Sequence, residues 1–210
     1  MKDIAIYGAG GFGRETALLV NQINNVARQW NLVGFYDDGI DKGAIVGRLP
    51  ILGDISDLKK IAAPTSIVIA ISDSQIRKEI VEKLKHTVID YPKLIHPTCQ
   101  LGDDGNAYGK GCIISAGVIF TTGVILEDFV IVNLSSTIGH DVRLQSFSTI
   151  MPGCSISGNV RIGEGSMVGT GARILQNLTI GSNCKIGAGA VVTRDFADNK
   201  TIIGIPAYEK

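Results

Sequence analysis

The chain has 210 residues, 45% of them hydrophobic, with 20 basic and 20 acidic side chains that cancel. That length suffices for two modest cores, and no Lys/Arg run or stripe supplies the concentrated positive charge that a nucleic-acid partner needs. No apolar run approaches membrane-spanning length, and Met1-Lys2-Asp3-Ile4 leads into a strand rather than a signal peptide, so a cytoplasmic protein without a membrane span is expected.

The N-terminal part alternates strand and helix. Asp3–Tyr7 reads as a short apolar strand that runs into Gly8-Ala9-Gly10-Gly11-Phe12-Gly13-Arg14, with a helix over Glu15–Ile23. Leu32–Tyr36 reads as a second strand, ended by Asp37-Asp38-Gly39; Leu49–Gly53 touches a short strand and Ile55–Lys60 a helical turn. Ser66–Ile71 is a continuous buried strand. Asp73–Leu84 is a charged amphipathic helix with Ile76, Ile80, Val81 and Leu84 on its apolar face, and Thr87–Asp90 closes the pattern. This order predicts a small parallel, Rossmann-like α/β domain.

The glycine loop places open amides at a helix N-terminus, which suits a phosphate. Three readings follow. A dinucleotide would use Asp37, which stands after the second strand where an acidic residue grips an adenosine ribose, but the segment is too short for a second half-sheet. A nucleotide-sugar diphosphate fits the same loop with less protein, and Asp37 and Asp38 would meet its base or ribose. The third reading is a glycine turn with no ligand and two solvated aspartates.

Tyr91-Pro92-Lys93-Leu94-Ile95-His96-Pro97 marks a crossover, with the domain boundary near Pro92, giving domains 1–92 and 93–210. Hexad-like texture starts near Ile95 and Leu101, slips through Gly102–Gly111 and locks at Cys112. From Ile114 to Val192 every sixth residue is aliphatic or aromatic, and two residues ahead of each sits a small or aliphatic one, from Cys112 to Ala190. Both point to the same side of a short strand. Gly139, Gly163, Gly169, Gly181 and Gly187 follow their anchors, where a turn would need a permissive backbone. A period of six is the arithmetic of a parallel β-helix. Three hexads make one triangular turn, so the locked region supplies roughly four and two-thirds coils, each about 4.8 Å above the last.

The repeat has no insertion, so no long loop wraps a neighbour. Outward Ile119, Ile125, Ile131, Met151 and Met167 suggest faces packed on other chains, and a homotrimer is the natural closure of a three-sided prism. Four cysteines (Cys99, Cys112, Cys154, Cys184) form no CxxC pair; the last three fall in the small inward class and read as reduced core residues. Three scattered histidines make no zinc spacing, so no metal is expected. His140 is the only histidine inside the locked repeats and lies two residues past inward Ile138, out of the core. A neutral imidazole there would take a proton from a hydroxyl or amine attacking a thioester, with adjacent Asp141 to orient it. The plainer alternative is an exposed turn histidine. His86 and His96 sit in helix-end and linker contexts.

The whole chain resembles the bacterial sugar O-/N-acyltransferases, which include sialic acid O-acetyltransferases and the N-acetyltransferases of nucleotide-linked 4-amino-sugars. The resemblance rests on Ile6 through Arg14, Phe35-Tyr36-Asp37-Asp38, Ile69-Ala70-Ile71-Ser72-Asp73, Gln75-Ile76-Arg77, Leu94-Ile95-His96-Pro97, Asn133 through Asp141, and Ile203-Gly204-Ile205-Pro206-Ala207. It implies a nucleotide-sugar domain, a left-handed β-helix with a C-terminal cap, and a homotrimer with active sites between subunits. Acetyl-CoA would lie in the groove between neighbouring helices, held largely by backbone groups. His140 falls on the family's general base, Asp141 on its acidic partner and Asn133 on a polar residue near the substrate. Gly8, Gly10, Gly11, Asp37 and Asp38 fall in the nucleotide-sugar pocket. Gly158 falls where an amide faces the acetyl thioester, and Gly204, Ile205 and Pro206 near the CoA adenine. Two places depart from the pattern: Gly139 stands where several members carry Glu, and Thr149 where some carry a second histidine. The implied reaction is direct N-acetylation of a nucleotide-linked 4-amino-sugar, with O-acetylation of a sialic acid-type hydroxyl as the alternative. A non-catalytic β-helix scaffold is the alternative of another class.

Overall fold

The structure, a computed structural model, describes residues 1–102 and 105–210. The chain separates into two compact units, Met1–Pro92 and Lys93–Lys210.

In the first unit, β1 (Lys2–Tyr7), α1 (Gly11–Val26), β2 (Trp30–Tyr36), β3 (Ile45–Val46), β4 (Leu49–Gly53), α2 (Ile55–Lys59), β5 (Thr65–Ile69), α3 (Ser74–Lys83) and β6 (Ile89–Asp90) build one sheet in the order β3-β4-β2-β1-β5-β6. All pairings are parallel except the β3–β4 hairpin. Alternation along the strands separates two apolar clusters. Ile6, Phe35 and Ile51 pack with Ala17 of α1, whereas Ala5, Tyr7, Ile67 and Ile69 pack with Leu58 of α2, Ile80 of α3 and Leu84 just past its end.

Helix α1 begins inside the glycine loop, four residues before the sequence suggests. Glycine costs helix propensity, but Gly13 is needed here: a β-carbon on it would lie 1.9 Å from the Gly8 carbonyl oxygen. Helix α3 presents a different face from the one expected. Ile76 is 50% exposed, and Arg77 is buried in its place with Ile80 and Leu84. The Arg77 guanidinium is accommodated because Nη1 donates to the Ile71 and Ser72 carbonyls at 2.6 and 3.1 Å.

The second unit is a parallel solenoid with three faces. Face A carries Leu94–Ile95, Ile113–Ile114, Ile131–Val132, Thr149–Ile150, Met167–Val168, Lys185–Ile186 and Thr201–Ile203; face B runs from Ile119–Phe120 to Val191–Val192, and face C from Ala107–Tyr108 to Thr179–Ile180. The anchors from Ile114 to Val192 are buried, as are the small partners except half-buried Leu178.

Five members of the small class carry a polar hydrogen that finds a backbone acceptor. Cys112, Ser136, Cys154, Ser166 and Cys184 each donate to a corner carbonyl of the following coil, at 2.7 to 3.2 Å. A small donor therefore fills the narrow position and satisfies a carbonyl that would otherwise be stranded.

The permissive backbone falls in a different column from the one expected. Every sixth residue from Gly105 to Gly189 has a positive φ, and the anchor-following glycines are not among them. Those glycines answer a shortage of room instead: a β-carbon on Gly139 would lie 2.7 Å from the Gly158 nitrogen, and one on Gly163 2.4 Å from the Gly181 carbonyl carbon.

The solenoid also begins earlier and ends later than the regular repeat. Leu94 pairs with Ile113 and Gln100 with Ile119, one residue out of the spacing that Ala107 and Ile125 then adopt. The slip expected in Gly102–Gly111 is spanned by these pairings, although Asp103 and Asp104 within it lie outside the described residues. At the other end Ile180 meets Phe196 and Lys185 meets Thr201, two residues short of a full coil. Tyr208–Glu209 then pairs antiparallel with Thr201–Ile203. Ile131, expected on an open face, is fully buried, whereas Ile119 and Ile125 are exposed.

Candidate active site

The C-terminal ends of β1 and β2 carry the glycine loop and the Asp37-Asp38 pair. Gly8 has φ +100° and donates to the Tyr36 carbonyl at 2.8 Å. The Asp37 carboxylate shapes the loop, with Oδ2 accepting from the Ala9 amide at 2.8 Å and Oδ1 from the Gly39 amide at 2.9 Å. Asp38 Oδ1 accepts from the Ile55 amide at 2.9 Å. Burial, then the hydrogen bond to Asp38, push the Tyr7 phenol well above its ordinary value, keeping it a neutral donor.

Gly10 caps α1 without a side-chain hydrogen bond, and no acidic residue occupies the helix's first turn. Open space surrounds the β-carbon positions of Gly10 and Gly11. A cavity of about 230 Å³ stands beside the loop, lined by Tyr7, Gly8, Asp37, Asp38, Ile71 and Lys83 among others. Gly8, Asp37 and Asp38 are thus brought together. Tyr7, Ile71 and Lys83 were not read from the sequence. The signal for Tyr7 was its place at the strand end just before the loop; nothing local marked Lys83.

In the solenoid, Asp141 takes φ 59°, which an aspartate tolerates and which accompanies the return of its carboxylate to the preceding residue. Oδ2 lies 2.9 Å from Nδ1 of His140, and the two side chains are 60% and 66% exposed. An ionised carboxylate only accepts, so Nδ1 carries the proton of a neutral ring and Nε2 is left basic. This ring nitrogen stands over Gly158 one coil later, where a β-carbon would lie 2.2 Å from it. The Gly158 amide belongs to none of the hydrogen bonds among the described residues. Gly139 is enclosed by the same coil, which accounts for glycine at that position.

His140, Asp141 and Gly158 therefore form one cluster, at the corner between faces B and C. Asn133 lies at the corner between faces A and B, buried, with Oδ1 accepting its neighbour's amide, Leu134, at 2.7 Å. Near the same corner the Gly204 carbonyl accepts from the Val191 amide at 3.1 Å, while Ile205 and Pro206 are exposed. One chain does not bring Asn133 or Gly204–Pro206 to His140. Thr149 is buried on face A, away from the histidine's corner.

Among the described residues no group of His, Cys, Asp or Glu is arranged to hold a metal ion, and no helix is long and apolar enough to cross a membrane.

A hexapeptide solenoid with an imidazole nitrogen at an open corner fits the acyltransferase class. The comparisons carry this to a family. Residues 3–84 match the PglD N-terminal domain and residues 159–194 the bacterial transferase hexapeptide (six repeats). GDP-perosamine N-acetyltransferase of Escherichia coli O157:H7 is 31% identical over 154 residues, 73% of this chain and 69% of that protein. The acetyltransferase domain of PglB from Neisseria gonorrhoeae FA1090 superposes over 100% of both chains with a TM-score of 0.89 and 34% identity, and has also been solved with acetyl coenzyme A. PerB from Caulobacter crescentus, in complex with CoA and GDP-perosamine, covers 100% of this chain and 98% of its own with a TM-score of 0.87 and 26% identity. The chain belongs to the hexapeptide-repeat, left-handed β-helix family of sugar-nucleotide N-acetyltransferases.

Proposed function

We propose that this chain is an acetyl-CoA-dependent N-acetyltransferase acting on the amino group of a nucleotide-linked 4-amino-sugar. The observation that carries the reading is the His140–Asp141 pair, with Nε2 directed over Gly158, in a chain whose relatives bind acetyl-CoA or CoA and GDP-perosamine. The glycine loop and α1 take the pyrophosphate, with Gly8, Gly10 and Gly11 giving backbone access and Asp37 and Asp38 bracing the loop and meeting the ribose or base.

Nε2 of His140 removes a proton from the sugar amine as the amine forms a C–N bond to the thioester carbonyl. Asp141 keeps the ring in the required tautomer. The Gly158 amide stabilises the oxyanion of the tetrahedral intermediate. Collapse breaks the C–S bond and releases the CoA thiolate, which takes up the proton held by His140. The amide product and CoA thiol balance the reaction without an acyl-enzyme.

The reading includes a homotrimer. Asn133 and the Gly204–Pro206 segment lie at one edge of face B and His140 at the other. Setting one copy's A/B corner against the next copy's B/C corner completes the set, and three copies close by rotation. Gly153, Gly171 and Gly189, with open space at successive coils of the A/B corner, leave backbone exposed along the path of a pantetheine arm toward Gly204–Pro206 and the adenine end. The four free thiols agree with a reducing, cytoplasmic setting.

The test is thiol release from acetyl-CoA with GDP-, UDP- and dTDP-linked 4-amino-sugars, beside sialic acid and its CMP form. Rapid release with one amino-sugar, lost in His140→Ala, is expected. Release only with a hydroxyl acceptor would overturn the substrate class.

A further inference from the structure

The sheet of the first unit is covered by α2 and α3 on one side and on the other by α1, which packs on β1 and β2. Between α1 and the β3–β4 hairpin this leaves a groove of about 710 Å³, within the size range of small-molecule sites. Its floor is apolar, from Leu32, Phe35, Val46 and Leu49. None of its lining residues lines the cavity at the glycine loop.

The rim of the groove is cationic. Arg14 stands in the first turn of α1, Arg28 just past its last turn and Arg48 in the β3–β4 turn, so three separate segments bring an arginine to the lining of one concavity. All three are exposed, and no ion pair or side-chain hydrogen bond is seen for any of them among the described residues. No Asp or Glu lines the groove. A cation at Arg28 suits a helix C-terminus, but one at Arg14 opposes the helix dipole, so helix stability does not account for it.

Trp30 lies half-buried in the same lining. Its backbone is fixed by Asn24, whose side chain accepts from the Trp30 amide at 3.0 Å and donates to the Trp30 carbonyl at 2.8 Å. Guanidinium forks match phosphate oxygens, and an indole stacks on a planar base.

We infer that this groove is a second nucleotide site, separate from the glycine-loop pocket, which takes a nucleoside di- or triphosphate on Arg14, Arg28, Arg48 and Trp30. The inference does not depend on the acetyltransferase reading. The same chemistry has two sources, a free nucleotide and the nucleotide-linked sugar.

Trp30 is the chain's single tryptophan, so its emission reports on the groove. The full chain is titrated with GDP, UDP, ADP, inorganic pyrophosphate, guanosine and a nucleotide-linked sugar, at low and high salt. A saturable fluorescence change is expected with nucleoside diphosphates, weaker with guanosine and weaker at high salt. Arg28→Gln and Arg48→Gln should each raise the Kd about tenfold while leaving kcat and both KM values unchanged. Gly11→Asp, which places a carboxylate in the glycine loop, should leave the Trp30 response intact.

Equal response to the sugar nucleotide would identify the substrate as an occupant; response to free diphosphates alone would identify free nucleotide. No change at millimolar nucleotide would overturn the inference, as would a response that survives both arginine substitutions or is lost in Gly11→Asp. Binding of an acidic peptide or of anionic vesicles in place of nucleotide would overturn it too.

Discussion

Nε2 of His140 lies within 2.2 Å of the point that a Gly158 β-carbon would occupy, so the ring owes its position to a side chain missing one coil later. Asp141 is seated in the same way: a β-carbon on Gly123, one coil earlier, would stand 2.7 Å from its Oδ1. The pair is held between two glycines of neighbouring coils, and these glycines are part of the site.

Gly158→Ala should therefore displace the imidazole and lower kcat by about tenfold or more, with a modest loss of thermal stability. The informative measurement is the double-mutant cycle with His140→Ala. Once the imidazole is gone, the added methyl should cost nothing further in turnover. Additive losses would mean that Gly158 acts independently of the ring.

His140→Ala should reduce kcat by about 10²- to 10⁴-fold, the usual contribution of a general base. Asp141→Asn should cost less, since it removes the acceptor that fixes the ring tautomer and leaves the ring. The pair's hydrogen bond is exposed to water on both sides and adds little to stability, so melting curves of both variants should overlay the parent. A melting shift of many degrees would make the pair structural.

Ser166 Oγ donates to the Gly181 carbonyl at 2.7 Å and accepts from the Cys184 amide at 2.9 Å. Ser166→Ala strands both groups in the core and should destabilise the solenoid by about 1–3 kcal/mol in urea unfolding. Ser166→Cys should recover part of this, because Cys184 itself makes the corresponding bond to Ala197.

Glu127 gives a pH prediction. Burial alone would favour its neutral form, but the Arg143 guanidinium on Oε1 and the Ser146 amide and hydroxyl on Oε2 outweigh it and hold the carboxyl below its ordinary value. A depressed folded pKa adds stability above the unfolded value, and this is lost as pH falls through the folded one. The gap in unfolding free energy between the parent and Glu127→Gln should be full at neutral pH and close below about pH 4.

Burial pushes the Cys112 thiol up to about 11 and its Sγ–H bonds to the Glu127 carbonyl. At pH 8 Cys112 should resist alkylation in the folded protein and react only on unfolding, read by mass spectrometry of digests.

The solenoid was legible in the sequence because each coil is buried on copies of itself, so burial returns with the period of the chain. Legibility failed at the ends, where Leu94 and Thr201 belong to coils of different circumference and no fixed period reaches them. The turn glycines were assigned the wrong reason. Positive φ falls on Phe129, Ser135, Asp141 and Phe147 as well as on glycine and asparagine, so composition does not mark that column.

Arg77 replaced Ile76 in the core because loop carbonyls of the same unit receive its charge, which hydropathy along one helix does not register. The glycine loop, the two aspartates and His140 stood out as residues. What was not legible was their geometry: that Asp37 braces the loop, that Asp141 turns back on its neighbour, and that Asn133 and Gly204 lie at another corner from His140.

The antiparallel strand at Tyr208–Glu209 has a consequence for solubility. A stack of parallel coils ends in an open row of amides and carbonyls, which would template the first coil of another molecule and continue as a filament. A strand added beyond Tyr208–Glu209 in the direction of the coils would have to pair antiparallel, with alternating close and wide hydrogen-bond pairs in place of the even, slanted series of the stack. An incoming Leu94–Ile95 strand therefore cannot continue the parallel register of the coils there. The reversed two-residue strand thus interrupts the parallel repeat at this edge of the solenoid.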